Sequence, residues 1–387
     1  MFSIISSSGT GRYTAHLVGE LAKYHPVTLI APPFDDYRDL LGGARLLVMP
    51  KIDGIRSRLM RWLLLAYSSF SPIRHFAALR RDSDRLYFAN AGHWPQIAVY
   101  LLSAKLCGYK TALLIHDVFP HRALFGRRFA AFERRCIGWT YRRADRLIVH
   151  HAGAIDDLAS LGVPRERVTV IPHGLFDLPA TATTAPRTEA HGGLHLLLFG
   201  QIRANKNILA AIAAVQALRA QGRNIVLRIC GKASAREADY LAACRAAAAR
   251  QPEGIVIEEG FVAEADLPAL MSWSDACLLP YGEFHSQSGV AMLALANGKP
   301  IIASRSGGLA ELLADNENGI AIRSADAETI NADAIVEAIR RADDAGPQRL
   351  AAMGAQGRER LYATASWPAV GKQHAAMLAS LTQATSA

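Results

Sequence analysis

The sequence predicts an α/β protein made of two doubly wound domains, and three observations carry that reading. The chain has 387 residues, whereas a single core stops growing near about 250–300 residues. Short apolar runs alternate with helix formers along both halves, the pattern of parallel sheets with crossover helices. Between Leu178 and Gly193 the composition shifts to Ala, Thr, Pro, His and Gly, which marks a linker and the domain boundary. Hydrophobic residues make up 51% and charged residues 20%, enough apolar matter for two cores and too little charge for disorder.

In the first half, Phe2 to Ile5 reads as a short strand, Ser6 to Gly11 as a turn, and Arg12 to Tyr24 as a helix. A strand, a Gly-turn and a helix suit a phosphate, but a single GxG also fits a plain turn. Val27 to Ala31 is the next strand, stopped by Pro32 and Pro33. Lys51 to Arg81 sets seven basic residues (Lys51, Arg56, Arg58, Arg61, Arg74, Arg80, Arg81) around Leu59, Met60, Trp62, Leu63 and Leu64. That composition fits an interfacial membrane helix and equally a half-buried helix with a solvated basic face. Asp82-Ser83-Asp84 has the form of a metal-binding DxD, yet it precedes the strand Leu86 to Ala89, and acidic turn residues are ordinary.

Thr111 to Ile115 forms a strand that ends in His116-Asp117. Polar residues just past the carboxyl end of a strand stand at the mouth of an α/β sheet, so His116 has the placement of a site residue. The helix that follows carries Arg127, Arg128, Arg134, Arg135, Arg142 and Arg143. Arg128, Arg135 and Arg142 are seven apart and share a face, either solvated or facing a membrane or phosphorylated acceptor. A strand at Arg146 to Val149, a helix at Gly153 to Leu161 and a strand at Val168 to Ile171, ending at Pro172-His173-Gly174, complete this half.

In the second half the alternation runs Leu194–Phe199, Asn207–Ala220, Ile225–Cys230, Ala235–Arg250, Ile255–Glu258, Ala265–Trp273 and Ala276–Pro280. After the first of these strands comes Gly200 to Asn207, where Arg203 and Lys206, three apart at a strand-to-helix turn, could reach one diphosphate. The stretch Leu278 to Glu311 is the centre of this half. A buried strand ends at Pro280, a polar loop carries His285, and Ser288, Gly289 and Val290 open a helix closed by Asn297-Gly298. A helix N-terminus at the carboxyl end of a buried strand suits an anion.

Charge is unevenly spread. Residues 1–180 hold 24 Lys and Arg against 14 Asp and Glu, and residues 181–387 hold 19 against 20. The basic excess of the first half suits an anionic surface or substrate. It shows no recognised nucleic-acid module, so nucleic acid is not an expected partner. The five cysteines (Cys107, Cys136, Cys230, Cys244, Cys277) have no metal or redox spacing and read as free thiols in a reducing compartment. Met1 leads into no signal-peptide pattern, and the apolar run Trp62 to Tyr67 is too short to span a bilayer. The expected location is cytoplasmic, soluble or peripheral on the cytoplasmic membrane face.

The motifs SGTGRYTAHLVGELAKYHPVTLIAPP, LLIHDVFPH, RADRLIVH, VPRERVTVIPHGLF, FGQIRANKN, GFVAEADLPALMSWSDACLLPY and SGVAMLALANGKPIIASRSGGLAELL, in this order, cover nearly the whole chain. Together they resemble the retaining glycosyltransferases of the GT-B fold, family 4 (group 1), which build polysaccharides and lipid-linked glycans. The resemblance implies two Rossmann-like domains facing across a cleft. Residues 1–180 would bind the acceptor, 181–364 the nucleotide sugar, and 365–387 a helix packed back on the first domain. It implies transfer of a hexose-type sugar from a nucleoside diphosphate to a glycan or lipid-linked acceptor, without a metal or other cofactor. Gly11 matches the glycine turn near the donor, and His116 the active-site His that contacts the transferred sugar. Arg203 and Lys206 match the basic pair on the diphosphate, beside Gly200. Ser288, Gly289 and Val290 match the helix N-terminus that cradles it, and Phe261 and Val262 the nucleobase position.

The chain departs from the family pattern in three places. Two glutamates eight residues apart are replaced by His285 and Leu293, so nucleotide recognition must differ, while His285 still faces the sugar position. The arginine after the first glycine of the donor loop is Gln201, with Arg203 expected to serve instead. The short first strand raises a trimmed or misassigned amino terminus. The lost glutamates leave open a second class of function, a non-catalytic scaffold of the same fold that binds glycan or nucleotide.

Overall fold

The computed structural model describes residues 1–3, 8–33, 37–49, 72–90, 92–119, 127–175, 192–282, 287–324 and 330–383. The chain divides into two compact units, Met1–Gly174 with Ala365–Ala387, and Leu175–Thr364.

In the first unit seven parallel strands form one sheet: β1 (Phe2–Ser3), β2 (Thr28–Ala31), β3 (Arg45–Val48), β4 (Arg85–Asn90), β5 (Lys110–Leu114), β6 (Arg146–Val149) and β7 (Val168–Val170), in the order β3-β2-β1-β4-β5-β6-β7. Helices α1 (Ser8–Ala22), α2 (72–79), α3 (Trp94–Leu106), α4 (Ala130–Tyr141) and α5 (Gly153–Ser160) connect them. The central strands are apolar on both faces because helices cover both sides. Phe2, Phe76, Phe88 and Tyr100 interlock as edge-on and stacked rings in this core. β3 escapes sequence reading because it is a sheet edge whose residues are half-buried or exposed.

The last helix, which we label α12 (Trp367–Gln383), belongs to this first unit. A Cβ at Gly371 would lie 2.5 Å from the Glu20 Cβ, so glycine lets α12 press against α1. His374 is fully buried and its Nδ1 lies 3.1 Å from the Tyr87 hydroxyl. Arg85 donates to the Leu378 carbonyl at 3.0 Å, a second tie between α12 and β4.

The second unit carries a six-stranded parallel sheet of β8 (Leu194–Phe199), β9 (Ile225–Gly231), β10 (Ile255–Glu259), β11 (Ala276–Leu279), β12 (Ile301–Ser304) and β13 (Gly319–Ile322), ordered β10-β9-β8-β11-β12-β13. Its helices are α6 (Ile208–Ala220), α7 (Ala238–Arg250), α8 (Leu267–Trp273), α9 (Gly289–Ala296), α10 (Leu309–Leu312) and α11 (Ala332–Ala365), the last broken at Gly346 ahead of Pro347. Leu196, Leu198, Leu227 and Leu278 anchor the core, each buried to within 1%. Burying one such side chain contributes about 1.5–3 kcal/mol. The fold class is therefore the expected one, two Rossmann-like α/β domains with parallel sheets.

Candidate active-site residues

In the first unit the candidate site lies where β5, β6 and β7 end side by side. Parallel strands put their carboxyl ends on one edge, so His116, His150 and His173 converge although 57 residues separate the outer two. Ring centroids stand 5.0 Å apart for His116 and His150, and 5.1 Å for His150 and His173. Tyr13, on α1 and fully buried, packs against all three, at 5.2, 5.5 and 4.5 Å respectively. Trp367 of α12 closes the cluster 5.3 Å from Tyr13 and stacks on His16. Only a glycine at 174 allows this, since a Cβ there would lie 2.6 Å from the Trp367 ring.

The three imidazoles are neutral at pH 7. Burial lowers His116 from 6.5 to about 4, partly countered by Asp117. Burial lowers His173 to about 3, and His116 adds to it. His150 is also pushed well below its ordinary value, first by burial and then by its two neighbours. The rings bond to one another and to backbone carbonyls rather than to a common point. No group of three or more side chains suited to a metal occurs among the described residues.

Gly11 is not in a turn. Helix α1 begins at Ser8, so Gly11 lies buried inside its first turns, two residues before Tyr13. The Asp82–Asp84 turn is structural: Ser83 Oγ donates to the Arg85 carbonyl, and the Asp84 carbonyl accepts from Lys110.

In the second unit strand order reverses between β8 and β11, the switch point at which open α/β sheets bind ligands. The loop after β8 meets the N-terminus of α9 there. Lys206 Nζ donates to the Phe199 carbonyl at 3.0 Å and stands 5.2 Å over the Tyr281 ring. Gly200 has φ of 101°, and a Cβ on it would lie 2.9 Å from Lys206 Nζ and 3.3 Å from Val290 Cγ2. Glycine at 200 thus admits both the ammonium and the first turn of α9. Gly231, at the end of β9, backs onto it so closely that a Cβ would lie 1.8 Å from the Gly200 carbonyl oxygen. Burial, with Arg203 second, lowers Lys206 from 10.5 to about 8. Arg203 is held on Gln201, whose Oε1 accepts from its guanidinium.

Ser288 serves as a cap: its Oγ accepts from the Ala291 N–H at 3.2 Å, so the hydroxyl is committed to starting α9. The Gly289 and Val290 N–H groups open the helix and have no intrahelical acceptor. A Cβ at Gly289 would meet nothing within 4 Å among the described residues, so this end has room beside it. Phe261 is 84% exposed and Val262 half-buried, just after β10. The Gly260 N–H reaches the Gly231 carbonyl at 3.1 Å, which links Phe261 to the same sheet edge. Leu293 is buried within α9 with no polar group to offer a ribose. His285 lies outside the described residues.

Gly200, Lys206, Gly289 and Val290 are therefore brought together, with Arg203 and Gln201 alongside. Sequence reading missed Gly231 and Tyr281 here, and Tyr13, His150 and His173 in the first unit. The placement rule that found His116, a polar residue just past a strand end, also applies to His150 and His173.

Two family models cover most of the chain: Glycosyltransferase Family 4 over residues 7–175, and Glycosyl transferases group 1 over residues 193–341. The chain belongs to the group 1/family 4 glycosyltransferases. This family member is 28% identical to the glycogen synthase of Mycobacterium tuberculosis over 235 residues, 60% of this chain and 53% of that one. The chain spans about half the length of the curated relatives it matches. Among solved structures, Anabaena HepE in complex with UDP and glucose superposes with a TM-score of 0.70 at 16% identity, over 98% of both chains. Sucrose-phosphate synthase from Thermosynechococcus elongatus gives 0.72 at 18% identity, over 99% of this chain and 96% of that one. These likenesses identify the fold as GT-B.

Proposed function

We propose that this chain transfers a hexose-type sugar from a nucleoside-diphosphate sugar to a glycan or lipid-linked acceptor, with retention of anomeric configuration. The observation that carries this reading is Gly200, against which both the half-buried Lys206 ammonium and the first turn of α9 pack, with Arg203 beside the ammonium. When the bond from the sugar carbon to the diphosphate breaks, its electron pair goes to the phosphate oxygen. Two fixed cations and two helix N–H groups stabilise that charge without reorganisation. In a retaining course the acceptor hydroxyl attacks from the leaving-group face, and its proton passes to the departing diphosphate. The first unit would hold the acceptor and the second the donor. No metal is needed in this reading, so chelation by EDTA leaves turnover unchanged. HepE holds UDP and glucose and glycogen synthase is a curated relative, which supports UDP-glucose as the first donor to assay.

Leu293 favours the second reading, a non-catalytic scaffold, because it removes a polar contact expected for the ribose. Turnover of UDP-, GDP- and dTDP-sugars, with His116→Ala and Lys206→Met as controls, separates the two. A wild type that binds nucleotide but consumes no donor leaves only the scaffold.

The basic first half is further proposed to seat the protein on an anionic, cytoplasmic membrane face. Arg128, Phe132, Arg135, Trp139 and Arg143 fall on one face of α4 and its flanks, and all are exposed. The Arg143 guanidinium lies 4.5 Å over the Trp139 ring. Arginines interleaved with aromatic rings suit an interface of phosphate headgroups and acyl chains. Arg142 is withdrawn from this face, donating to the Leu161 carbonyl at 2.6 Å. The other basic segment, Lys51 to Arg81, lies outside the described residues up to position 71, and its Arg80 donates to the Cys107 carbonyl at 3.0 Å. No helix among the described residues is long and apolar enough to cross a membrane. Retention on anionic liposomes at low salt, lost in Arg128→Glu/Arg135→Glu, supports this docking; equal behaviour of the two proteins refutes it.

A further inference from the structure

We infer that His150 is a positioning residue, which locks His116 in one tautomer and turns its Nε2 into a bare acceptor for a ligand hydroxyl. A carbonyl oxygen only accepts, so His150 Nδ1, 3.1 Å from the Ile171 carbonyl, carries a proton and donates it. A neutral imidazole has one N–H, which leaves a lone pair on His150 Nε2. That lone pair faces His116 Nδ1 at 3.0 Å, so His116 must donate from Nδ1. His116 then has no proton on Nε2.

Two further facts point to a ligand. His116 Nε2 is buried and has no hydrogen-bond partner among the described residues. A buried polar atom without a partner calls for an explanation, and a ligand hydroxyl supplies one here. The surroundings also keep the relay neutral, because His173, Tyr13 and His150 press on the ring and burial disfavours the charged form of all three imidazoles. Among the described residues Asp117 is the acidic group that opposes this at His116.

The consequence is selectivity. A bare lone pair takes a hydrogen bond from a sugar hydroxyl and repels a carboxylate, a phosphoryl oxygen or a carbonyl. The site thus accepts a sugar with a free hydroxyl at this contact and discriminates against one oxidised to a carboxylate there. The ligand's identity as a sugar rests on the transferase reading above; the tautomer does not.

The test is nitrogen NMR on the full chain labelled with 15N-histidine, with His116 assigned by its loss in His116→Gln. At pH 7 the wild type should show a protonated Nδ1 and an unprotonated Nε2 on His116. His150→Gln preserves this state, because the amide donates to the Ile171 carbonyl and its oxygen accepts from His116. His150→Leu removes the acceptor and moves the proton towards Nε2. In a transfer assay, kcat should fall about 10-fold in His150→Leu and recover in His150→Gln, the size of one lost hydrogen bond. A proton on Nε2 of His116 in the wild type, or an unchanged tautomer in His150→Leu, overturns the inference. Should His150→Leu not fold, the wild-type and His150→Gln spectra decide alone. If the tautomer is as stated but no nucleotide sugar is consumed, the relay stands and the transferase reading fails.

Discussion

Lys206→Met should stabilise the unliganded protein while weakening its hold on nucleotide. Lys206 has its pKa lowered from 10.5 to about 8, so at pH 7 the fold holds an ammonium in surroundings that disfavour it. At about 1.36 kcal/mol per pKa unit, the penalty is at most about 3.4 kcal/mol. The side chain is half-buried rather than sealed, so water screens part of this, and the variant also forfeits a hydrogen bond of about 1 kcal/mol to the Phe199 carbonyl. A net gain of about 1 kcal/mol remains, a rise in Tm of about 2–4 °C for a unit of this size. In the proposed donor site the same change removes a charged contact to the diphosphate, about 1.5–3 kcal/mol, or roughly 10- to 100-fold in Kd. Scanning fluorimetry with and without UDP reads both effects. If the Met variant melts lower than wild type and keeps its full nucleotide shift, Lys206 is a structural cation and the diphosphate assignment is wrong.

Other expectations follow from the same geometry. Between pH 8 and 10.5 the unfolded Lys206 holds more protons than the folded one, so its contribution to stability rises with pH across that window. If the proposed diphosphate role holds, nucleotide binding needs the ammonium and moves the opposite way, weakening about tenfold from pH 7 to pH 9 by calorimetry. Gly231→Ala drives a Cβ to 1.8 Å from the Gly200 carbonyl and should lower stability by about 1–3 kcal/mol, read from denaturant midpoints. Gly174→Ala forces the Trp367 ring from its seat 2.6 Å away, and the emission of that 8% exposed tryptophan should shift to the red.

The sequence made the sheets legible because buried parallel strands such as Leu194–Phe199 and Ala276–Leu279 are unbroken apolar runs. It did not reveal β3, whose edge position leaves Arg45 to Val48 only partly buried. It placed His116, Arg203 and Lys206 after strand ends, where the structure also has them. It did not show that the Lys206 ammonium turns back onto the Phe199 carbonyl, because that depends on Gly200 having no Cβ and on Gly231 packing behind it. Nor did it show the histidine relay, since His150 and His173 acquire meaning only when β5, β6 and β7 lie side by side. The heptad of arginines was plain, but Arg142 leaves it for a backbone carbonyl while Phe132 and Trp139 fill the gaps.

The measurement closest to the central claim is phosphorus NMR of UDP-glucose, GDP- and dTDP-sugars incubated with the protein and a mixed glycan acceptor pool. One donor should give up its nucleoside diphosphate in the presence of acceptor, with EDTA present, and Lys206→Met and His116→Ala should slow this by at least about tenfold. A protein that binds these nucleotides, yet leaves every donor intact in all three forms, would contradict it.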